Sequence, residues 1–135
     1  MDGTTYEIIP PLKTNYGDAD NESNNSSLLV KVTNADNSML FTGDVENERL
    51  PDLIYSEYDL SCDILKIPHH GRMEKLTDEF IRSVAPQYAV ITSSKDEPED
   101  EELMQLLEKY DIDTYLTRNG GILFETLPGE IHVDQ

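Results

Sequence analysis

Asp44, which follows Thr42-Gly43, and the adjacent pair His69-His70, which precedes Gly71, are the residues whose types and spacing point most directly to chemistry. Each group comes just after a short apolar run, Met39-Leu40-Phe41 in one case and Ile64-Leu65-Lys66-Ile67-Pro68 in the other. Where such runs are strands of one sheet, their ends bring an anionic oxygen and neutral imidazole nitrogens to one rim, on rigid backbone with accessible side chains. Those donors suit a divalent transition metal such as zinc, manganese or iron. The competing readings are a turn or helix-capping aspartate, and loop histidines whose rings only hydrogen bond. A catalytic zinc usually takes three protein donors, and the chain has only three histidines and one cysteine to add to its carboxylates. Gly43 and Gly71 would let the backbone turn tightly beside a ligand.

The elements that must position these groups follow from periodicity and punctuation. Thr5 to Ile9 reads as a strand stopped by Pro10-Pro11, and the polar stretch from Thr14 to Ser27 as a surface loop. Ser27 to Thr33 and Ser38 to Thr42 flank the turn-rich Asn34-Ala35-Asp36-Asn37, a hairpin signal. Val45 to Tyr55 is compatible with a short helix despite Pro51, and Cys62 to Ile67 reads as a buried strand ended by Pro68. Thr77 is placed to cap a helix from Asp78 to Val84, and Tyr88 to Thr92 forms the next strand. From about Pro98 to Tyr110 a second clear helix sets Leu103, Leu106, Leu107 and Tyr110 on one stripe. Thr114 to Leu116 and Ile122 to Thr126 read as a hairpin around Asn119-Gly120-Gly121, and Glu130 to Val133 as a last edge strand. The alternation predicts one α/β domain over residues 1–135, a mixed sheet with two to three helices.

Composition narrows the function classes. With 28 acidic against 10 basic residues the formal net charge is −18, which disfavours nucleic-acid binding by this chain alone. The lone Cys62 forms no internal disulfide, no apolar run reaches the length of a membrane span, and Met1-Asp2-Gly3-Thr4-Thr5 lacks the features of a signal peptide. The chain therefore reads as soluble, either cytoplasmic or an extracytoplasmic part of a larger protein.

Three stretches in order carry a resemblance: Asn24-Asn25-Ser26-Ser27-Leu28-Leu29-Val30, Met39-Leu40-Phe41-Thr42-Gly43-Asp44-Val45-Glu46, and Asp63-Ile64-Leu65-Lys66-Ile67-Pro68-His69-His70-Gly71. Together with Ala89-Val90-Ile91-Thr92 and the stretch from Asp113 to Ile122, they resemble the metallo-β-lactamase superfamily. More narrowly, they are similar to the hydrolase-like domain of ComEC-type DNA-uptake proteins and their soluble relatives. The resemblance implies the second half of a four-layer αββα sandwich. It also implies that Asp44 bridges two metals and that a histidine of the His-His-Gly motif ends the ligand set, His69 first and His70 as its substitute. The implied reaction is metal-assisted hydrolysis of an ester or phosphodiester, with zinc or manganese as the implied ion. The family's leading signature, His-x-His-x-Asp-His, is absent, and residues 1–68 contain no histidine. Weak or no metal binding and no activity are therefore expected of this chain alone. Its expected partner is the missing N-terminal half or a second chain, and an uncovered apolar sheet face is expected to drive self-association. The alternative is a non-catalytic α/β interaction module with relic metal residues.

Other residues take plainer readings. The acidic run from Asp96 to Glu102 lacks the pattern of a calcium loop and reads as a solvated helix start. His132 reads as a surface residue, Cys62 as a small apolar packing group, and Ser93-Ser94 has no Gly-x-Ser-x-Gly context.

Overall fold

The computed structural model describes residues 3–17 and 22–135. Residues 18–21 of the polar loop, and the first two residues used in the signal-peptide reading, lie outside the described residues. The fold is α/β with a mixed sheet, as the alternation of elements predicts. Strand β1 (Thr5–Ile9), β2 (Leu29–Asn34), β3 (Asn37–Phe41), β4 (Ile64–Lys66), β5 (Tyr88–Ile91) and β6 (Asp113–Leu116) lie side by side in sequence order. The first three pair antiparallel and the last three join in parallel. At the β2–β3 turn Ala35 and Asp36 both have positive φ, 49° and 68°, as a two-residue hairpin of the I′ kind requires.

Among the described residues the α-helices are α1 (Glu22–Asn25), α2 (Leu50–Ile54), α3 (Thr77–Val84) and α4 (Glu101–Lys109). Alternation along the strands sends Ile9, Leu29, Leu40, Leu65, Ala89 and Ile91 to one face, where they meet Leu50, Leu53, Phe80, Ile81, Val84, Leu103 and Leu107 from the helices. That layer is the core. Truncating a side chain as buried as Phe80, 0% exposed, should cost about 3–5 kcal/mol.

Four expectations shift in detail. The polar loop contains α1, because Asn25 is fully buried and spends its side chain on the segment after Asp44. Helix α2 is shorter than the stretch Val45–Tyr55, since Pro51 fits only a first turn. Thr77 is inside α3 rather than its cap: its Oγ1 accepts from the Glu74 amide at 2.8 Å, and Leu76 is the cap residue. The last strands do not form the expected hairpin with β6. A 3₁₀ turn at Thr117–Asn119 takes the chain away, and β7 (Leu123–Leu127) pairs antiparallel with β8 (Glu130–Asp134) as a separate ribbon.

That ribbon crosses the sheet face opposite the helices. Phe124 meets Tyr88 and Tyr115 edge-on, at 5.9 and 5.8 Å between ring centres, and Asn37 Nδ2 donates to the Leu127 carbonyl at 2.7 Å. Beside it lies an open cavity of about 420 Å³ lined by Tyr6, Val32, Met39, Phe41, Ile64 and Phe124. Tyr6, Ile8 and Phe41 remain 69%, 52% and 42% exposed, so β1 to β3 present a largely uncovered apolar surface.

Candidate metal centre

Three strand ends build the rim. Beyond β3, Thr42 is fully buried and its Oγ1 donates to the Lys66 carbonyl at 2.7 Å, clamping the end of β3 to that of β4. Gly43 follows with φ 59°, and a Cβ there would lie 2.7 Å from the Ser27 side chain, so only glycine lets the chain pass. The Asp44 amide then donates to Ser27 Oγ at 3.3 Å, leaving its carboxylate at the rim.

Beyond β4 the chain makes an unusual turn in which His69 and His70 both have positive φ, 48° and 53°. For side chains with a Cβ this costs roughly 1–2 kcal/mol per residue. It is held by the buried Gly71, whose absent Cβ leaves room for Glu99, Ile91 and Leu103, and by His69 N–H donating to the Gly43 carbonyl at 3.3 Å. A second brace comes from the start of α4. Asp100 Oδ2 accepts from the Met73 amide at 2.7 Å, its Oδ1 accepts from Arg72 at 3.1 Å, and its amide donates to the Gly71 carbonyl at 3.0 Å.

The turn sends the two imidazoles in different directions. His70 faces Asp44, with Nε2 3.4 Å from Oδ2. Its Nδ1 lies 2.7 Å from the Thr92 carbonyl, just beyond β5, and 3.1 Å from Thr92 Oγ1. A carbonyl only accepts, so Nδ1 carries a hydrogen, and in the neutral ring it is the Nε2 lone pair that points at the carboxylate. His69 turns away, its Nδ1 3.5 Å from Glu74 Oε1 and 3.8 Å from Glu46 Oε1. The ring that converges with Asp44 is therefore that of His70, because the left-handed turn rotates His69 toward Glu46 and Glu74.

Lys66 completes the surroundings of Asp44. Its Nζ donates to the Gly43 carbonyl at 2.8 Å and lies 3.5 Å from Asp44 Oδ1. Burial lowers the Lys66 pKa, and the Asp44 charge opposes that shift. On the His69 side, burial pushes the Glu74 carboxyl above its ordinary value; the His69 ring opposes the rise and the charges of Glu46 and Glu48 add to it.

Sequence reasoning missed Thr92, Lys66, Glu46 and Glu74 as neighbours of this rim. The signal for Thr92 was its place one residue past an apolar strand, and Glu46 lies two residues beyond Asp44; Glu74 has no such signal. The remaining candidates sit elsewhere. His132 is exposed on β8 beside Glu130, and the Cys62 thiol is buried with its pKa pushed up to about 12, far from a reactive thiolate. Of the acidic run, Glu99 and Asp100 are anchored rather than free: Glu99 accepts from Ser93 Oγ at 2.6 Å and from Arg118 at 2.7 Å.

Asp44 and His70 have the donor chemistry of a metal site but fill only two of the three protein positions a catalytic zinc usually has. The 3.4 Å between their atoms matches the edge of a tetrahedron with bonds of about 2.1 Å.

No family model matches the chain. It is 29% identical over 103 residues, 74% of its length, to ComE operon protein 3 of Bacillus subtilis (strain 168). It is 26% identical over 96 residues, 71% of its length, to Recombination protein 2 of Haemophilus influenzae, and 28% identical over 94 residues, 68% of its length, to Competence protein ComA of Neisseria gonorrhoeae. The matches cover 13%, 11% and 13% of those proteins, so the chain spans a small part of the curated relatives' length. The chain is thus similar to a stretch of ComEC-type competence proteins.

Proposed function

We propose that this chain is the second half of a metal-dependent hydrolase of the metallo-β-lactamase superfamily, ComEC-related, and that Asp44 and His70 supply two ligands to a divalent ion. The observation that carries the reading is the facing of two acceptors. With Nδ1–H committed to the Thr92 carbonyl, the His70 Nε2 lone pair and the Asp44 carboxylate repel across 3.4 Å unless a cation or a proton lies between them. A bound ion would lower the pKa of a coordinated water and stabilise charge on a cleaved ester or phosphodiester. The chain's own part is to hold the ligands: Thr92 fixes the His70 ring, Lys66 draws the Asp44 carboxylate to the rim, and Gly43 and Gly71 permit the turns that bring them together.

The uncovered apolar face of β1 to β3 supports the same reading, as the seat for the half that supplies the missing histidines. The relatives' names speak of competence and recombination, which suggests a role in DNA uptake and a phosphodiester substrate. A net charge of −18 then requires the DNA-contacting surface to come from the rest of the protein.

A second reading, a non-catalytic interaction module with relic ligands, is favoured by Lys66, whose ammonium 3.5 Å from Asp44 already opposes its charge. Zinc titration followed on the His70 ring signals by NMR separates the two. The hydrolase reading expects those signals to shift in the native chain and to stay fixed in Asp44→Asn; a His70 ring indifferent to millimolar zinc sinks it in favour of the module.

A further inference from the structure

We propose a second divalent-cation site, distinct from the Asp44–His70 rim, formed by Glu46, His69 and Glu74. Their ligand atoms lie within 4.8 Å of one another. The His69 Nδ1 atom is shielded from solvent and, among the described residues, has no hydrogen-bond partner. Its nearest oxygens, Glu46 Oε1 at 3.8 Å and Glu74 Oε1 at 3.5 Å, stand at ion-pair distance. These separations are close to the edge of about 3.4 Å that a tetrahedral ion with bonds of about 2.1 Å would impose.

The surroundings are built to hold these donors in place. Asn24 Nδ2 donates to Glu46 Oε1 at 2.6 Å, and the Glu46 amide donates to Asn25 Oδ1 at 2.9 Å. Asn47 Nδ2 takes up Glu74 Oε2 at 2.5 Å, which leaves Glu74 Oε1 directed at the His69 ring. Such outer hydrogen bonds orient ligands and fix their basicity. Glu46 is only 7% exposed, and among the described residues neither glutamate pairs with a lysine or arginine. Two carboxylates that face each other across one imidazole, one of them buried, are eased by a positive charge between them, and an oxygen-rich site with a single imidazole suits zinc or manganese.

The chain has only three histidines, His69, His70 and His132, so imidazole NMR resolves each ring during a zinc titration of the full chain. Zinc should shift the His69 signals with one-to-one stoichiometry, and the shift should persist in Asp44→Asn. Glu74→Gln should weaken that binding about tenfold or more. Because Glu74 is partly exposed, this variant tests the site without depending on a buried position, and its folding is checked from the amide spectrum. A His69 ring unmoved by millimolar zinc, or a Glu74→Gln variant with native affinity, overturns the proposal. The outcome is separate from that of the rim, which is read on His70.

Discussion

The Nδ1 atom of His70 sits 2.7 Å from the carbonyl oxygen of Thr92. Because the acceptor is backbone, the bond survives any substitution at Thr92 that leaves the strand end in place. Nitrogen shifts of the imidazole should therefore report hydrogen on Nδ1 at pH values where the ring is neutral. The same form should remain in Thr92→Val, which loses only the Oγ1 contact at 3.1 Å. A ring protonated on Nε2 would contradict this geometry and remove its lone pair from Asp44.

Gly71→Ala is expected to destabilise the chain by about 2–4 kcal/mol, combining a left-handed backbone with overpacking. The added methyl would lie 2.8 Å from Glu99 Cβ and 2.9 Å from Ile91 Cγ2, groups fixed near the backbone. Urea denaturation measures the loss. Imidazole signals of His69 and His70 should move in the same variant, since both sit in the turn that Gly71 closes.

Asp100 gives a pH dependence with a definite sign. The Met73 amide first, and then Arg72, hold its carboxyl below the ordinary value of 3.8, so the folded chain binds fewer protons there than the unfolded chain. The stabilisation is therefore present above about pH 3.8 and is lost as pH falls through the lowered folded value. Asp100→Ala should cost about 1 kcal/mol at neutral pH, mainly as a lost backbone partner, because water screens the exposed Arg72 pair. Urea midpoints of the native and variant chains should begin to converge below pH 3.8, as pH falls toward the lowered folded value.

The sheet face carrying Tyr6, Ile8 and Phe41 should make the isolated chain self-associate at micromolar concentration. Salt should strengthen the association by screening repulsion between chains of charge −18, over a Debye length of about 8 Å at 0.15 M. Ile8→Asp should weaken it by roughly tenfold. Sedimentation equilibrium checks both, and a monomer unaffected by salt would show that the face is self-sufficient.

Much of this molecule is legible from local chemistry. Strand alternation, the turn at Ala35-Asp36, the stripe of Leu103 and Leu107 and the two strand ends that deliver Asp44 and the histidines all follow from period and punctuation, since each is decided within a few residues. Three matters were decided only by the tertiary structure. Which histidine meets Asp44 depends on a left-handed turn that Gly71 and Asp100 hold from α4, some thirty residues away. Glu46 and Glu74 meet at His69 because Asn47 ties the segment before α2 to the segment before α3, through the Glu74 carboxylate and the Lys75 amide. Strand β7 pairs with β8 and leaves the outer edge of β6 open, because Phe124 finds its partners, Tyr88 and Tyr115, across the face of the sheet. Sequence determines what a segment can form; competition among distant segments for the same edge, ring or charge is resolved only when they share space.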